Sequence, residues 1–217
     1  SFVGVGDPEF NRQFLETSSL GAIPQTRKTI LEVGQVLGEQ KQTIFLGPSA
    51  SETNLKGIDL TGSQTIVFAT HGLLSNQIEG LVEPALALSS PFSKSELDDG
   101  FLTASEISKL DIGSQLVILS ACNTGTQVEN SVDTGLPSLA SAFFFAGANS
   151  LIISHWMAET SSTNAVIKAT AEALATIPSQ GITDALRHAK RAFIGSDAPK
   201  WSSHPMFWAT FFSMGVN

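Results

Sequence analysis

Two residues in this chain have the type and setting for nucleophilic chemistry: His71 and Cys122, the only cysteine. Each follows an apolar run that reads as a strand, Thr65–Gly72 (TIVFATHG) for the histidine and Gln115–Gly125 (QLVILSACNTG) for the thiol. In open α/β sheets functional groups gather at the carboxyl ends of strands, near the point where strand order reverses. A free thiol, with a pKa of about 8.5, is only a few per cent thiolate at neutral pH. A neighbouring imidazole raises that fraction or accepts the proton as attack begins. Gly72 lets backbone N–H groups approach a substrate carbonyl, and the N–H of Cys122 could complete an oxyanion hole, where one donor is typically worth about 3 kcal/mol. A lone cysteine near a strand is ordinarily a small buried hydrophobe. The coincidence of two such strand tips, each beside glycine or alanine, favours the chemical reading.

Other chemistries find less support. No G-x-S-x-G occurs, so a serine hydrolase is not indicated. His155, His188 and His204 do not combine with Cys122 at any zinc-ligand spacing, and neither a metal nor a cofactor is expected. The GVG of Phe2–Gly6 lacks the third glycine opening a helix that a dinucleotide fingerprint needs. Asp98, Asp99, Glu79 and Glu83 could line a cleft, although loop carboxylates are mostly solvated. Glu159, close to Trp156 and His155, is the better pocket residue, because a partly buried carboxylate pairs well with arginine. Asn123 is placed to orient an imidazole.

The elements that must position this pair alternate between strand and helix. Phe2–Gly6 is a short strand stopped by Asp7-Pro8, and Thr26–Leu37 has helical spacing closed by Gly38. Gln42–Leu46 is a strand, and Ser51 caps a brief helix with Asn54 at the capping-box position. Gln64–Thr70 reads as a strand covered on both faces. Residues 73–84 form a loop before a short strand at Ala85–Leu88, and Pro91–Gly100 reads as an exposed loop. Thr103 and Glu106 make a full capping box, and Gln115–Ser120 is the central strand. Residues 125–135 are polar and acidic. Leu136–Ala146 is apolar all round and hence a buried helix, followed by a strand at Asn149–Ser154 and a helix over Glu159–Ile177 with an exposed Ser/Thr/Asn face. Thr183–Phe193 is a basic-faced helix, and Trp208–Met214 a terminal aromatic strand. Trp201, Phe207, Trp208, Phe211 and Phe212 are assigned to packing under that strand. This alternation predicts one α/β sandwich over residues 1–217, a parallel-dominated sheet with helices on both faces.

Composition agrees. With 217 residues, 42% apolar and 15% charged, the chain can bury roughly 70% of its unfolded surface. A formal net charge of −8 argues against nucleic acid, which requires clustered Lys and Arg. No charged residue occurs between Asp133 and Glu159, but Gly147, Asn149 and His155 break that run, so a buried helix and strand fit better than a membrane span. One cysteine excludes an internal disulfide, which favours the cytoplasm without excluding export. The chain opens directly on the strand-like SFVGVGDP and reads as a domain cut from something longer.

The motifs FATHG (68–72), EPALALS (83–89), DGFLTASEI (99–107), VILSACNTG (117–125), SLIISHW (150–156) and HPMFWATFF (204–212) resemble the CHAT family. These are caspase-like domains attached to tetratricopeptide repeats, within the caspase, separase and gingipain group of cysteine proteases. The separation of His71 and Cys122, 51 residues, is also close to that of a caspase histidine and cysteine. The resemblance covers nearly the whole chain. It implies a three-layer caspase-like sandwich of about six strands and a cysteine endopeptidase acting on protein or peptide substrates. His71 would be the general base, Cys122 the nucleophile, and the Gly72 and Cys122 amides the oxyanion hole. It further implies control by upstream repeats or an activating protein, and an activation or self-cleavage segment at 125–135. Where the family has an aliphatic residue and then an aspartate, this chain has His155 and Glu159. That wall, with Trp156 and Asp99, is the expected substrate pocket. The departure also admits an alternative, a scaffold domain that keeps the fold without the activity.

Overall fold

The computed structural model describes residues 1–11, 20–38, 40–91, 98–121, 138–156, 160–177, 181–195 and 204–216. The chain begins with strand β1 (Phe2–Pro8), helix α1 (Gln25–Leu37), strand β2 (Gln42–Gly47) and helix α2 (Glu52–Lys56). Strand β3 (Thr65–Ala69) is followed by three short strands, β4 (His71–Leu73), β5 (Ala85–Ala87) and β6 (Phe101–Thr103), and by helix α3 (Ala104–Ile107). Then come β7 (Leu116–Leu119), α4 (Ser138–Phe145), β8 (Ser150–Ser154), α5 (Thr160–Thr176), α6 (Ile182–Gly195), α7 (Pro205–Trp208) and β9 (Phe211–Gly215).

The main sheet has six strands in the order β2-β1-β3-β7-β8-β9. All neighbouring pairs are parallel except β8 with β9. Side chains alternate across it, as a strand's period of two requires. Ile66, Phe68, Val117 and Leu119 turn to the layer holding α3 and α4. Val67, Ala69, Leu116 and Ile118 turn to the layer of α1, α5 and α6. Both faces are covered, so the strands are continuous apolar runs. On the first face Phe68 meets Phe143 of α4 with ring centroids 5.5 Å apart.

The glycines of FVGVG have a packing role that accounts for their spacing. A Cβ on Gly4 would lie 2.5 Å from Ile30 Cγ2, and one on Gly6 2.8 Å from Ile30 Cγ1. Their absence lets α1 settle directly on β1. Gly38 ends α1 in the left-handed conformation, at φ 61°, which glycine adopts without steric cost.

Several expectations need correction. Residues 71–73 and 101–103 are strands of a separate three-stranded antiparallel sheet, order β4-β5-β6, too short to show a period in sequence. Asp98 is buried, not exposed, and accepts from Thr53 N and Oγ1 at 3.2 and 2.6 Å. Ser51 does cap α2, but Asn54 directs its amide to Ser49 O at 2.9 Å, so that capping box is half made. The polar face of α5 is partly covered: Ser162 and Thr170 are buried, and Asn164 Oδ1 accepts from Thr29 Oγ1 of α1. Helix α4 is not enclosed all round, because Phe145 is 83% exposed. The terminal aromatic segment starts as α7, with Pro205 at a first-turn position and His204 as N-cap, before β9 begins; proline there suits a helix start. Trp201 and Glu159 lie outside the described residues.

A buried charge cluster holds the small sheet to the main body. The Glu52 side chain is 1% exposed and receives Lys56 Nζ at 2.6 Å, together with the backbone N–H groups of Asp99 and Gly100, both at 2.9 Å. Lys56 also reaches Glu106 Oε1 at 2.7 Å, and Glu106 closes the capping box of α3 by accepting from Thr103 N at 2.9 Å. Burial pushes the Glu52 carboxyl above its usual 4.5, against the bonds from Lys56 and Asp99. For Glu106 burial acts the same way, but Lys56 and Thr103 outweigh it and hold the carboxyl below 4.5. Burial likewise opposes the Lys56 charge, and the two carboxylates together hold it above 10.5.

Because Glu106 is depressed on folding, its contribution to stability is present above pH 4.5 and lost as pH falls through its folded value. Lys56, raised on folding, contributes below pH 10.5 and loses that contribution as pH rises through its folded value. Lys56→Met leaves the buried Glu52 carboxyl without its cation, and should cost about 3 kcal/mol in urea unfolding at neutral pH. The deficit should shrink in acid, where Glu52 takes up a proton. Equal stability of variant and wild type at neutral pH would rule out this role for the cluster.

Candidate active site at the carboxyl ends of β3 and β7

The chain order of the main sheet reverses around β1, which has β2 on one side and β3 on the other. The carboxyl ends of β1 and β3 therefore flank the crevice where open α/β sheets bind ligands. Beyond Ala69 the chain leaves the main sheet. Thr70, buried, donates its hydroxyl to Ala87 O, and His71 opens β4, in register with Ala87.

His71 is half-buried at this corner. Its Nε2 is 2.7 Å from Gly21 O, in the segment that follows β1. A carbonyl can only accept, so Nε2 carries a proton, and in the neutral tautomer that donates there the lone pair lies at Nδ1. Phe10 packs beside the imidazole, with centroids 5.9 Å apart and planes tilted by 35°. A carbonyl and an aromatic ring thus fix both tautomer and tilt.

The Gly72 amide follows from the phase of the small sheet. Leu88 N–H donates to Gly100 O and Ala104 N–H to Pro84 O, both at 2.9 Å. Even-numbered residues of β5 therefore bond toward β6, and Ala85 and Ala87 toward β4. In an antiparallel pair bonded and non-bonded positions alternate. Gly72, opposite Leu86, consequently turns its N–H away from β5, toward the open edge of the sheet.

Strand β7 lies beside β3 with a fixed register: Thr65 beside Leu116, Ile66 beside Val117 and Phe68 beside Leu119, an offset of 51 residues throughout. Past the strand, Ser120 N–H donates to Phe68 O at 2.8 Å, and Ala121 O accepts from Ser154 Oγ of β8 at 2.7 Å. The chain is thus held on both sides up to Ala121. Cys122, Asn123 and residues 125–135 lie outside the described residues.

At the end of β8, His155 is exposed, and its N–H donates to Thr210 O at 2.9 Å. Its ring stacks on Phe212, with centroids 4.1 Å apart and planes within 19°. Trp156, 38% exposed, donates Nε1 to Met206 O at 3.1 Å. His71, Gly72, His155 and Trp156 thus share the carboxyl edge of the main sheet. The Asp99 N–H donates to Glu52 and its carboxylate accepts from Phe101 N at 2.9 Å. Glu83 is also engaged, accepting from Ser105 N and Oγ at 2.9 Å each. Among the described residues no group of three or more His, Cys, Asp or Glu could hold a metal ion, and no helix is long and apolar enough to cross a membrane. Gly21, Thr70 and Phe10 were not legible as site residues; a backbone carbonyl leaves no mark on a sequence.

The architecture is an α/β sandwich, a mostly parallel sheet between two helical layers, with a histidine at the carboxyl end of a central strand. The CHAT domain model matches residues 2–216, and the chain belongs to that family. Solved structures agree on the fold. Gingipain R, an Arg-specific cysteine proteinase, aligns with a TM-score of 0.62 at 13% identity, over 99% of this chain and 45% of its own. The complex of the RgpB pro- and mature domains from Porphyromonas gingivalis aligns at 0.59 with 13% identity, over 99% and 46%. A further protease aligns at 0.58 with 15% identity, over 99% and 47%. The chain therefore spans a little under half the length of these proteins. No curated protein matches it significantly by sequence.

Thr70→Val removes the hydroxyl that satisfies Ala87 O next to His71, and should cost about 1–2 kcal/mol by urea unfolding. An unchanged midpoint would mean that this bond does not hold the corner.

Proposed function

We propose that the chain is a cysteine endopeptidase with His71 as general base and Cys122 as nucleophile. One observation carries the reading: the offset that pairs β3 with β7, 51 residues, equals the separation of His71 and Cys122. Each residue follows the last ladder pair, Phe68 with Leu119, by the same three positions.

In this mechanism the Cys122 thiol gives its proton to His71 Nδ1, whose opposite nitrogen is held by Gly21 O. The thiolate attacks the peptide carbonyl carbon, and the π pair moves to oxygen, where the Gly72 and Cys122 amides receive the negative charge. The tetrahedral species collapses with loss of the amine, which takes its proton from the imidazolium. Water, deprotonated by His71, then attacks the thioester, releasing the acid and restoring the thiol. No cofactor is required.

The substrate pocket is assigned to His155, Trp156 and Glu159. Gingipain R is named as Arg-specific, and a carboxylate at Glu159 would suit the same side chain. Since Asp99 is committed to Phe101 and Glu52, it contributes no pocket charge in this reading. The RgpB structure pairs a mature domain with its pro-domain, which supports regulation by a further protein segment, such as upstream tetratricopeptide repeats.

Cys122→Ala should abolish cleavage of a peptide library with the circular dichroism spectrum unchanged, and His71→Ala should slow it by about 10²–10⁴-fold. Iodoacetamide should label Cys122 faster than a free cysteine, and His71→Ala should remove the excess. Labelling no faster than the free amino acid would favour a scaffold domain instead. In the same library, Glu159→Gln should lose preference for arginine before the cut; an unaltered profile would eliminate the pocket assignment while leaving the dyad standing.

A further inference from the structure

The cations of this acidic chain are unevenly spread. Of its 12 Lys and Arg, set against 20 Asp and Glu, Arg187, Lys190 and Arg191 line a single groove of about 500 Å³ beside α6. Leu186, Ile194, Trp208 and Phe212 are the apolar residues along it, and among the described residues no carboxylate lines it. Asp184 pairs with Arg187 at 2.9 Å, but both side chains are about half exposed or more, so the pair contributes little. Lys190 is half-buried and donates to Phe211 O. Burial alone pushes its ammonium below 10.5, so the fold holds a partly desolvated cation with only a neutral carbonyl as its described partner.

A ligand matched to this groove must bring negative charge and an apolar group together. A phosphodiester backbone satisfies the cations but brings no aliphatic group to Ile194, 41% exposed. Carboxylates flanking one aromatic or aliphatic side chain satisfy both halves. We propose that the groove between α6 and β9 is a docking site for an acidic peptide segment of a partner protein. Its carboxylates meet Arg187, Lys190 and Arg191, and its apolar anchor packs on Ile194 beside Trp208. The groove does not include His71, and the proposal stands whether or not the chain hydrolyses peptides.

Fluorescence anisotropy tests this on the Cys122→Ala chain, where cleavage cannot interfere. The probe is fluorescein-labelled Asp-Glu-Asp-Phe-Glu-Asp-Leu-Glu, competed with the same peptide carrying Lys for each acid, with a single-stranded oligonucleotide and with phosphatidylserine vesicles. Saturable binding that weakens with added salt is expected. It should fall about tenfold in Arg191→Glu and in Lys190→Met, and the Lys peptide should not compete. Arg191 is exposed, so Arg191→Glu decides the matter if Lys190→Met fails to fold. Absence of saturable binding, equal affinity in Arg191→Glu, or stronger competition by the oligonucleotide or the vesicles would overturn the proposal.

Discussion

The candidate site depends on one departure of the backbone, at Thr70, where the chain leaves a six-stranded parallel ladder and enters a small antiparallel one. A parallel strand that simply ended there would pass into a crossover and leave no reason for His71 to adopt a fixed direction. Instead the Thr70 hydroxyl takes up Ala87 O, and the next three residues pair with β5. The imidazole therefore projects from a bonded strand, not from a free loop. Beneath it, β5 pairs with β6, and the loop into β6 is clamped by the Glu52 carboxylate through Asp99 and Gly100. The orientation of one ring thus rests on a buried ion cluster at the far side of the small sheet. That placement suits catalysis, in which precision of a fraction of an ångström matters more than the identity of the supporting residues.

The main sheet was legible because each of its central strands is buried on both faces. TIVFA, LVIL and SLIIS are continuous apolar runs that no exposed element would carry. The boundaries of α1, β2 and the capped helix α3 were legible for a local reason: Gly38, Gly47 and the Thr103–Glu106 box act within a turn of chain. Of the small sheet only β5 was, as the short strand expected at Ala85–Leu88. Three-residue strands show no period, and the burial of Asp98 depends on Thr53, 45 positions away, which no local pattern records. The polar side of α5 misled for a similar reason. Serine and threonine can line a helix–helix contact as readily as water when their hydroxyls bond within the helix, as Thr170 does to Val166 O at 2.7 Å.

For the site, side-chain identity was the legible part and its support was not. His71 and Cys122 announce themselves by type and by following apolar runs. Gly21 O acts through a backbone atom that every residue possesses, and it meets Nε2 across 50 positions of chain, which no local pattern records. Asp99 shows the same limit: a carboxylate in a polar loop suggested a cleft, while its bonds to the amide of Phe101 and, through its own N–H, to Glu52 are set by the fold.

The C-terminal segment connects the wall of the candidate pocket to the rest of the molecule. His155 N–H bonds Thr210 O, and Trp156 exchanges bonds with Thr210, its N–H donating to Oγ1 at 3.2 Å and its carbonyl accepting from Oγ1 at 2.8 Å. Trp156 Nε1 reaches Met206 O, so residues 206–212 hold the backbone of this wall as well as its rings. An edge strand that is antiparallel to its neighbour makes this possible. A parallel strand would have entered from the amino-terminal edge and left α7 on the opposite side of the sheet, away from Trp156. Because β9 instead enters at the carboxyl edge, α7 and the aromatic residues after it sit beside β8 where the wall begins. Phe212 then carries the His155 ring while also lining the basic groove of α6. The carboxyl-edge wall and the groove beside α6 therefore meet at one residue of the edge strand.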